Sequence, residues 1–476
     1  MELLLGIDEL LKRTMSRCPI CYAACAAEVW RVGEKPARVF LKRSCAQHGE
    51  TSLCIASDAR FYWLSSGDPD NSNIENCCEG NACCASDHSI AGPLGRNAVG
   101  RRDGSFEKLS TCLALIEIVD SCNLSCPTCY ANSPVGAGKE VDAIPLENLQ
   151  KRIQGVIDRK GRIEILQLSG GEPTLHPQFF ELIEWAQRNP GIDYLLLNTN
   201  GVRIANDDIF AQRLGEVFDY GHFQLYLQFD GVQPEGQQRL RGIDLRPIRQ
   251  RVIERCGAMK LPITLAMTVT PENLPFLWKA IAFGLQFPQI RGISFQPIFG
   301  SGRVPAGLRP SAGNGKGRSA DSKLSVESAQ RLNTADIILS CVEQSQEQLR
   351  YEDFTPLPCG DPNCATIGYL LKANGRTYPI SDFIDFKKVQ SFLHDRVRYS
   401  LDDLARCGCE SEPLGQMLKQ FEINESNTFR LFIKPFMDAW TWDEDRIDRC
   451  CTHVIRPDGK LDSFCRYYSG FADCDR

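Results

Sequence analysis

The sequence predicts an α/β fold, a partial (β/α)6 barrel with cysteine-rich, metal-binding extensions at its N-terminal and C-terminal ends. Short apolar runs alternate with amphipathic segments through the middle of the chain, whereas most of the 23 cysteines lie outside that stretch. At 476 residues the chain is long enough for two or three domains, each with a sizeable core.

The apolar runs have the character of buried parallel strands, which read as continuous hydrophobic stretches because helices cover both faces of the sheet. Six units of this kind predict an open barrel with its active site at the carboxyl ends of the strands. The predicted strands are 113–119, 163–168, 194–198, 223–229, 263–269 and 292–297, and the predicted helices include 145–159, 178–188, 245–258 and 273–285.

Composition shifts divide the chain into four parts. Residues 1–109 form a cysteine-rich region and residues 110–300 the barrel core. Residues 301–324 are rich in Gly, Ser, Pro and Arg, which predicts a flexible linker or lid. Residues 325–476 are expected to form a C-terminal domain with an auxiliary cluster.

Charge and hydropathy exclude several classes of protein. The net charge of −6 leaves no basic footprint, so no nucleic-acid partner is expected. No run of 18 apolar residues is present, and the N-terminus lacks the features of a signal peptide, which favours a cytoplasmic protein. Aromatic stretches at 61–63 and 429–442 favour core packing, with peripheral membrane contact as the alternative.

Reduced thiols in clusters usually bind metal, and the presence of only six histidines favours thiolate-held iron–sulfur over Cys/His zinc. Cys122, Cys126 and Cys129 follow the first predicted strand directly. Three thiolates at this spacing can hold three irons of a [4Fe–4S] cluster and leave the fourth iron open for chemistry. A chance match and a zinc knuckle are the alternatives. A zinc knuckle usually has a second Cys-x-x-Cys pair or a nearby histidine, and this segment has neither.

Polar or glycine residues stand where several predicted strands end. Two glycines can let the backbone approach a ligand closely, and a glutamate beside them can accept hydrogen bonds from an ammonium group. Each residue taken singly is more often a turn or a cap, yet together they would converge on the barrel mouth and bind a cofactor. The candidates are Gly170, Gly171, Glu172, Asn200, Gln228, Asp230 and Gln296.

A strand, Cys-x-x-x-Cys-x-x-Cys, a second strand and Gly-Gly-Glu-Pro in that order resemble the radical S-adenosylmethionine (radical SAM) superfamily over about residues 110–300. Segments 18–21, 45–49, 228–242, 359–364 and 450–468 further resemble the tetraether lipid synthase group, which overlaps proteins described as pterin methylases.

This resemblance implies an enzyme that reductively cleaves S-adenosylmethionine to a 5′-deoxyadenosyl radical, with electrons from a donor such as ferredoxin or flavodoxin. The radical would functionalise an unactivated C–H bond, by carbon–carbon coupling on a lipid-like substrate or, alternatively, by methyl transfer to a pterin or other small molecule. A zinc-bearing structural or interaction protein is the alternative from another class, and the intact cysteine motif argues against it.

The N-terminal cysteines have the spacing of a rubredoxin-like or zinc-ribbon site. Cys18, Cys21 and Cys45 are three expected ligands, with Cys54 or His48 as the fourth. Zinc and iron are nearly equally plausible there, and the resemblance favours mononuclear iron.

Two auxiliary clusters are also expected. The first would use Cys77 and Cys84 with Cys112, although Asn81 stands where the family has a cysteine. The second would use Cys359, Cys364, Cys465 and Cys451 (or Cys450) to close all four corners of a cluster, with structural zinc as the alternative.

Overall fold

The computed structural model describes residues 8–33, 35–63, 111–134, 141–219, 221–304, 331–357, 360–384 and 427–470. Cys77, Cys84 and Cys359 lie outside these residues, as does the predicted linker from residue 305 onward.

The N-terminal region is a four-stranded antiparallel meander in which neighbouring strands follow one another along the chain. Alternate residues point to one face, where Val29, Val39 and Leu41 are fully buried in a small separate core. The strands are β1 (Glu9–Arg17), β2 (Ala24–Val32), β3 (Arg38–Cys45) and β4 (Gly49–Ala56).

Six parallel strands form the central sheet in chain order, each hydrogen-bonded to the next. Their continuous apolar character is explained by burial on both faces, so the predicted partial barrel is confirmed. The strands are β5 (Leu113–Val119), β6 (Leu166–Gly170), β7 (Leu195–Thr199), β8 (Phe223–Gln228), β9 (Ile263–Val269) and β10 (Ile290–Pro297).

Amphipathic helices cover the outside of this sheet. In the first of them Leu149, Ile153 and Val156 repeat at helical spacing and are fully buried against the strands. The helices are α1 (Leu146–Lys160), α2 (Phe179–Arg188), α3 (Val202–Asn206), α4 (Asp208–Val217), α5 (Gln237–Arg241), α6 (Arg246–Met259) and α7 (Leu277–Leu285).

The C-terminal region adds strands to both edges of this sheet. The outer strands pair antiparallel, whereas one strand runs parallel beside β10 and another parallel beside β5. The elements are α8 (Thr334–Gln344), β11 (Thr355–Pro356), β12 (Thr366–Ala373), β13 (Arg376–Pro379), β14 (Thr428–Ile433), α9 (Glu444–Asp448), β15 (Thr452–Ile455), β16 (Leu461–Ser463) and α10 (Phe464–Tyr468).

With β14 and β15 the parallel run has eight strands, two more than the sequence predicts for the core. Just beyond β14, the Lys434 ammonium donates to the Thr452 hydroxyl at the start of β15 over 2.9 Å. This contact joins the two ends of the run and narrows the open side of the barrel.

The meander docks on the C-terminal region through β1 and β3. The buried Arg43 guanidinium donates to the carbonyl oxygens of Ala439 (2.7 Å) and Trp440 (2.5 Å). Lys12 pairs with Asp443 over 2.6 Å at the same surface. These polar contacts fix the meander against the loop that follows β14.

Both aromatic stretches pack into the core, which confirms the favoured prediction for them: Phe61, Tyr62, Phe429 and Trp442 are all buried. Among the residues that the structure describes, no helix has both the length and the apolar character needed to cross a bilayer.

Candidate active site

The cysteine loop follows β5 and lies at the carboxyl end of the sheet, where Cys122, Cys126 and Cys129 line one cavity. Burial raises the pKa of Cys122 to about 12 and also raises the pKa of Cys126, so bound metal must displace the thiol protons. The three thiols do not form the compact ligand group that a single ion needs. A larger thiolate-held cluster fits this donor set better than a zinc ion does.

Gly170 and Gly171 are needed because the end of β6 passes tightly against the start of the cysteine loop. A Cβ atom at Gly170 would lie 2.2 Å from the Val119 carbonyl oxygen, and one at Gly171 would lie 2.1 Å from that of Ser121. Gly170 also has a φ of +115°, a conformation that favours glycine. The close approach is therefore to the chain's own backbone, whereas the sequence suggested approach to a ligand.

Glu172 is fully buried and forms part of the cavity wall. One carboxylate oxygen accepts hydrogen bonds from the Thr174 and Thr199 hydroxyls, both at 2.7 Å, and the other accepts from the Asn200 backbone N–H at 2.8 Å. Burial raises the pKa of Glu172 above its usual range. The Glu172 side chain thus connects the end of β7 to the turn after β6. Its expected contact with an ammonium group would be an additional role.

Asn200 connects the end of β7 to the cysteine loop. Its side-chain amide donates to the Asn123 side-chain oxygen over 2.7 Å and lies 3.9 Å from the Cys122 sulfur. Its own side-chain oxygen accepts from the Val202 backbone N–H at 3.0 Å. The residue therefore positions the loop beside the place where a cluster would bind.

Asp230 is fully buried behind the cavity wall and is saturated by protein partners. Its carboxylate accepts from Arg241 at 2.7 Å and from Arg249 and the Thr268 backbone N–H, both at 3.0 Å. These contacts make Asp230 a positioning residue for Arg241 and Arg249, and its expected contact with the cofactor stays a prediction.

The sequence did not single out Arg241 as a site residue. The one available indication was that Arg241 lies within segment 228–242, which resembles the tetraether lipid synthase group. Its guanidinium lines the cavity, donates to the Thr128 carbonyl oxygen at 3.3 Å and interacts electrostatically with the Cys126 thiol. Gln228 faces the same guanidinium, with its amide oxygen 2.8 Å from Nη1 when the amide is oriented to accept. Arg241 can therefore offset the negative charge of bound thiolates.

Further polar side chains from neighbouring strands line the same wall. The Gln296 amide donates to the Tyr226 hydroxyl over 2.6 Å, and the Asn198 amide donates to the Tyr130 hydroxyl over 3.3 Å. Of these only Gln296 is among the predicted site residues. Asn198 and Tyr226 belong to predicted strands, where alternation onto the barrel interior was the available signal, and Tyr130 directly follows Cys129.

The cavity between the cysteine loop and the C-terminal region has a volume of about 220 Å³. Its wall opposite the polar strand ends is apolar and draws on β5, β14 and α10 together with the segments that flank β11 and β14. The side chains of this apolar wall are Leu113, Leu115, Phe299, Leu357, Phe432, Phe436 and Phe464.

A second ligand group lies in the N-terminal meander, outside this cavity. The ligand atoms of Cys18, Cys21, Cys45 and His48 all lie within 4.8 Å of one another, and His48 Nδ1 is 3.7 Å from the Cys45 sulfur. Cys54 is not part of the group, because its thiol donates to the Ala56 carbonyl oxygen on β4. Of the two fourth ligands that the sequence left open, the structure brings His48 to the site.

The donor set of this group is that of a closed structural metal site. Two turns supply it, one after β1 and one after β3, and three thiolates with one imidazole suit tetrahedral zinc. A hydrogen bond from the Gln47 backbone, followed by one from His48, lowers the pKa of Cys45 to about 6. One ligand is therefore a thiolate near neutral pH before any ion binds.

The C-terminal cysteines lie near one another on the far side of the active-site cavity. Cys364, Cys450, Cys451 and Cys465 interact electrostatically with one another, and Arg446 is paired with Cys364. The Met437 backbone N–H donates to the Cys465 sulfur at 3.3 Å. Both members of the Cys450/Cys451 pair are thus close enough to remain candidates.

Cys112 lies with these cysteines, since its backbone N–H donates to the Cys451 carbonyl oxygen over 3.1 Å. Its sulfur is disulfide-bonded in the structure, the oxidised alternative to metal ligation. Its proposed partners Cys77 and Cys84 lie outside the described residues.

Comparison with known proteins agrees with this geometry. The model of the radical SAM superfamily matches residues 116–282, and a model described as an HMPTM N-terminal zinc ribbon domain matches residues 10–57. A 7,8-dihydro-6-hydroxymethylpterin dimethyltransferase of Methanocaldococcus jannaschii is 25% identical, over 96% of this chain and 93% of that protein.

Shorter likenesses cover less than half of the chain. The mycofactocin maturase MftC of Mycobacterium tuberculosis is 29% identical over 33% of this chain and 38% of its own length. Streptococcus suis SuiB bound to S-adenosylmethionine is 16% identical with a TM-score of 0.34, over 41% of this chain and 43% of that one.

The family match spans the cysteine loop, the Gly-Gly-Glu turn and the strands β6 to β9, and it ends before Gln296 on β10. Residues 116–282 are therefore a radical SAM domain, which implies a [4Fe–4S] cluster and S-adenosylmethionine as the cofactors of this enzyme.

Proposed function

We propose that this enzyme removes a hydrogen atom from an unactivated carbon of an apolar, lipid-like substrate and forms a new carbon–carbon bond there. The observation that carries the proposal is the apolar wall that faces the cysteine loop across the cavity. A chain-like hydrocarbon gains free energy from burial there, whereas a polar heterocycle would find only Lys434 and Thr452 as polar partners from the C-terminal region.

Each wall of the cavity has a distinct part in this proposal. Cys122, Cys126 and Cys129 would hold the cluster, which would supply the one-electron chemistry that cleaves the cofactor; two such cleavages would remove one hydrogen atom from each of the two carbons that join. Asn200 and Arg241 hold the cysteine loop in position. The cavity-facing polar residues Glu172, Asn198, Gln228 and Gln296 are proposed to bind S-adenosylmethionine.

The remaining cysteines serve two further metal sites in the proposal. Cys18, Cys21, Cys45 and His48 would bind zinc, because their donor set is the one found in closed zinc sites; this replaces the preference for iron. Cys364, Cys465 and Cys451 (or Cys450), with Cys359, would hold an auxiliary [4Fe–4S] cluster beside the substrate.

The partners follow from the chemistry. Reductive cleavage of the cofactor needs an external one-electron donor, such as ferredoxin or flavodoxin. A cytoplasmic location with peripheral membrane contact would give access to lipid, and both stay predictions.

The experiment is anaerobic reconstitution with iron and sulfide, followed by dithionite, S-adenosylmethionine and a candidate substrate. Detergent-dispersed fatty acyl or glycerolipid substrates are expected to raise 5′-deoxyadenosine formation, with carbon–carbon-coupled or methylated lipid detected by mass spectrometry. No stimulation by any lipid would contradict the proposal.

A second candidate is methyl transfer to a pterin, favoured by the name of the relative that matches nearly the whole chain. The amides of Asn198, Gln228 and Gln296 would then bind the heterocycle as well as the cofactor. Stimulation by reduced pterins without stimulation by lipids would establish this alternative.

A further inference from the structure

A second, smaller chamber lies inside the barrel below the active-site cavity. Its volume is about 100 Å³, and it shares four wall residues with the larger cavity: Leu113, Leu196, Tyr226 and Phe432. Because these residues bound both spaces, the chamber adjoins the active-site cavity, on the side of the amino ends of the strands.

Aliphatic and neutral polar side chains make up most of the chamber wall. Ile165 and Ile293 belong to it, as do Tyr194, Gln224 and Thr264, which are hydrogen-bonded to one another in series. Since these polar groups already satisfy each other, the wall suits a hydrocarbon chain better than a heterocycle with many hydrogen-bonding atoms.

One cation, Arg430 of β14, also lines this chamber. Its side chain makes no hydrogen bond or ion pair with any residue that the structure describes, and it interacts electrostatically with the Tyr369 phenol. A partly buried guanidinium without a counter-ion is a ready partner for a carboxylate, which it can bind with two parallel hydrogen bonds.

The sequence makes room for this side chain. Arg430 pairs in register with Gly292 of β10. A Cβ atom at position 292 would lie 2.8 Å from the Arg430 Cβ and 2.4 Å from its carbonyl oxygen. Any other residue at 292 would therefore crowd the place where Arg430 enters the chamber.

The strand also sets the distance between this cation and the barrel mouth. Along β14 Phe429, Leu431 and Ile433 face the helices, whereas Arg430 and Phe432 face the barrel interior. Lys434 at the mouth lies four positions after Arg430, which corresponds to about 13 Å of extended strand. An acyl chain anchored at Arg430 would thus pass the shared residues and present distant carbons to the cysteine loop.

We propose that the inner chamber is a substrate subsite for a long-chain carboxylate, in which Arg430 binds the carboxylate and the barrel interior holds the chain. This inference rests on the proposed lipid function and names the end of the substrate that is recognised.

The test is calorimetric titration of the reconstituted holoenzyme, without reductant, with myristate and with methyl myristate in the same detergent. Wild type should bind the acid about tenfold or more tightly than the ester, since the ester cannot form the charged contact. Arg430→Met should abolish this preference and leave ester binding within about twofold. Arg376→Met, an exposed arginine on β13, is the matched control and should keep the preference.

A second pair of variants tests the chamber itself. Ile165 lines the inner chamber but not the larger cavity. Ile165→Trp should therefore weaken the binding of long chains more than that of short chains, whereas Ile165→Val should not. Equal binding of acid and ester by wild type, or an unchanged preference in Arg430→Met, would overturn the subsite. If lipids still stimulate 5′-deoxyadenosine formation in that case, the proposed function survives; if neither lipid binds, both fail.

Discussion

The cysteine loop and the N-terminal ribbon both gather thiols, yet the protein holds them in different ways. In the ribbon, four ligands on two turns converge within 4.8 Å, above a small core centred on Val29, Val39 and Leu41. In the loop, three thiols line a cavity, and the loop is braced by Asn200, which follows β7, and by Arg241 at the end of α5.

The ribbon site depends on its metal ion for its structure, whereas the loop site is positioned by the barrel before any metal binds. A ribbon with few buried apolar residues needs a bound ion to hold its turns together, whereas the loop inherits its position from the barrel. A closed ligand set suits a structural role, and three ligands with an open position suit catalysis.

The largest effect is expected from Cys126→Ala in the loop. Removal of one of three thiolates leaves an iron without its ligand, so 5′-deoxyadenosine formation with dithionite should fall below detection. The fold should persist, with an unchanged circular dichroism spectrum, because the loop contributes little to the core.

Ser125→Ala, at the exposed position before Cys126, is the matched control and should retain activity. Wild-type yield of 5′-deoxyadenosine from Cys126→Ala would remove the loop from the active site.

Cys45→Ser in the ribbon should show the opposite behaviour. We expect loss of one metal ion per chain and an earlier, separate unfolding transition of the ribbon, measured by elemental analysis and calorimetry. Iron in the barrel cluster and cofactor cleavage should stay near wild type.

Cys54→Ser, on β4 of the same ribbon but outside the ligand group, should keep the ion. If Cys45→Ser abolishes cofactor cleavage while the ribbon remains folded, the ribbon site is not purely structural.

Asp230→Asn probes the bracing of the loop. The change leaves Arg241 and Arg249 buried without their counter-ion and should lower the free energy of unfolding by about 3–5 kcal/mol. Denaturant unfolding measures the loss, with Asp244→Asn as the control, because the pair that Asp244 forms with Arg246 is exposed and contributes about 1 kcal/mol or less. Equal losses in the two variants would mean that the buried network does not brace the site.

Glu117→Gln should have the smallest effect, and it should depend on pH. Burial raises the pKa of Glu117, which accepts hydrogen bonds from the hydroxyls of Tyr467 and Tyr468. Glu117 therefore stabilises the folded chain fully below the usual glutamate pKa of about 4.3. This stabilisation is lost as the pH rises through the raised pKa of Glu117 in the folded state.

The variant stays neutral, so its free energy of unfolding relative to wild type should rise across that pH window. A difference that does not change with pH would show that Glu117 is equally ionised in the folded and unfolded chain.

The sequence predicts the barrel well because burial on both faces leaves a local signature: two of the six core strands match the predicted bounds, 113–119 and 263–269. It did not predict that β14 and β15 extend the same sheet, since pairing across more than a hundred residues leaves no local pattern. The cysteine loop was found from spacing alone.

The roles of other site residues depend on partners that are distant in sequence. Asp230 was assigned to the cofactor, yet it binds two arginines that the motif did not single out. The choice of His48 over Cys54 depends on the turn after β3, which the cysteine spacing left open.

The central claim is that the loop generates a radical that acts on an apolar chain held between the polar and apolar walls. The most direct measurement is deuterium transfer from perdeuterated fatty acyl substrate into 5′-deoxyadenosine during turnover of the reconstituted enzyme. We expect wild type to form deuterium-labelled 5′-deoxyadenosine with lipid and Cys126→Ala to form no labelled product. Unlabelled 5′-deoxyadenosine with every lipid, together with labelled product from a deuterated pterin, would contradict it.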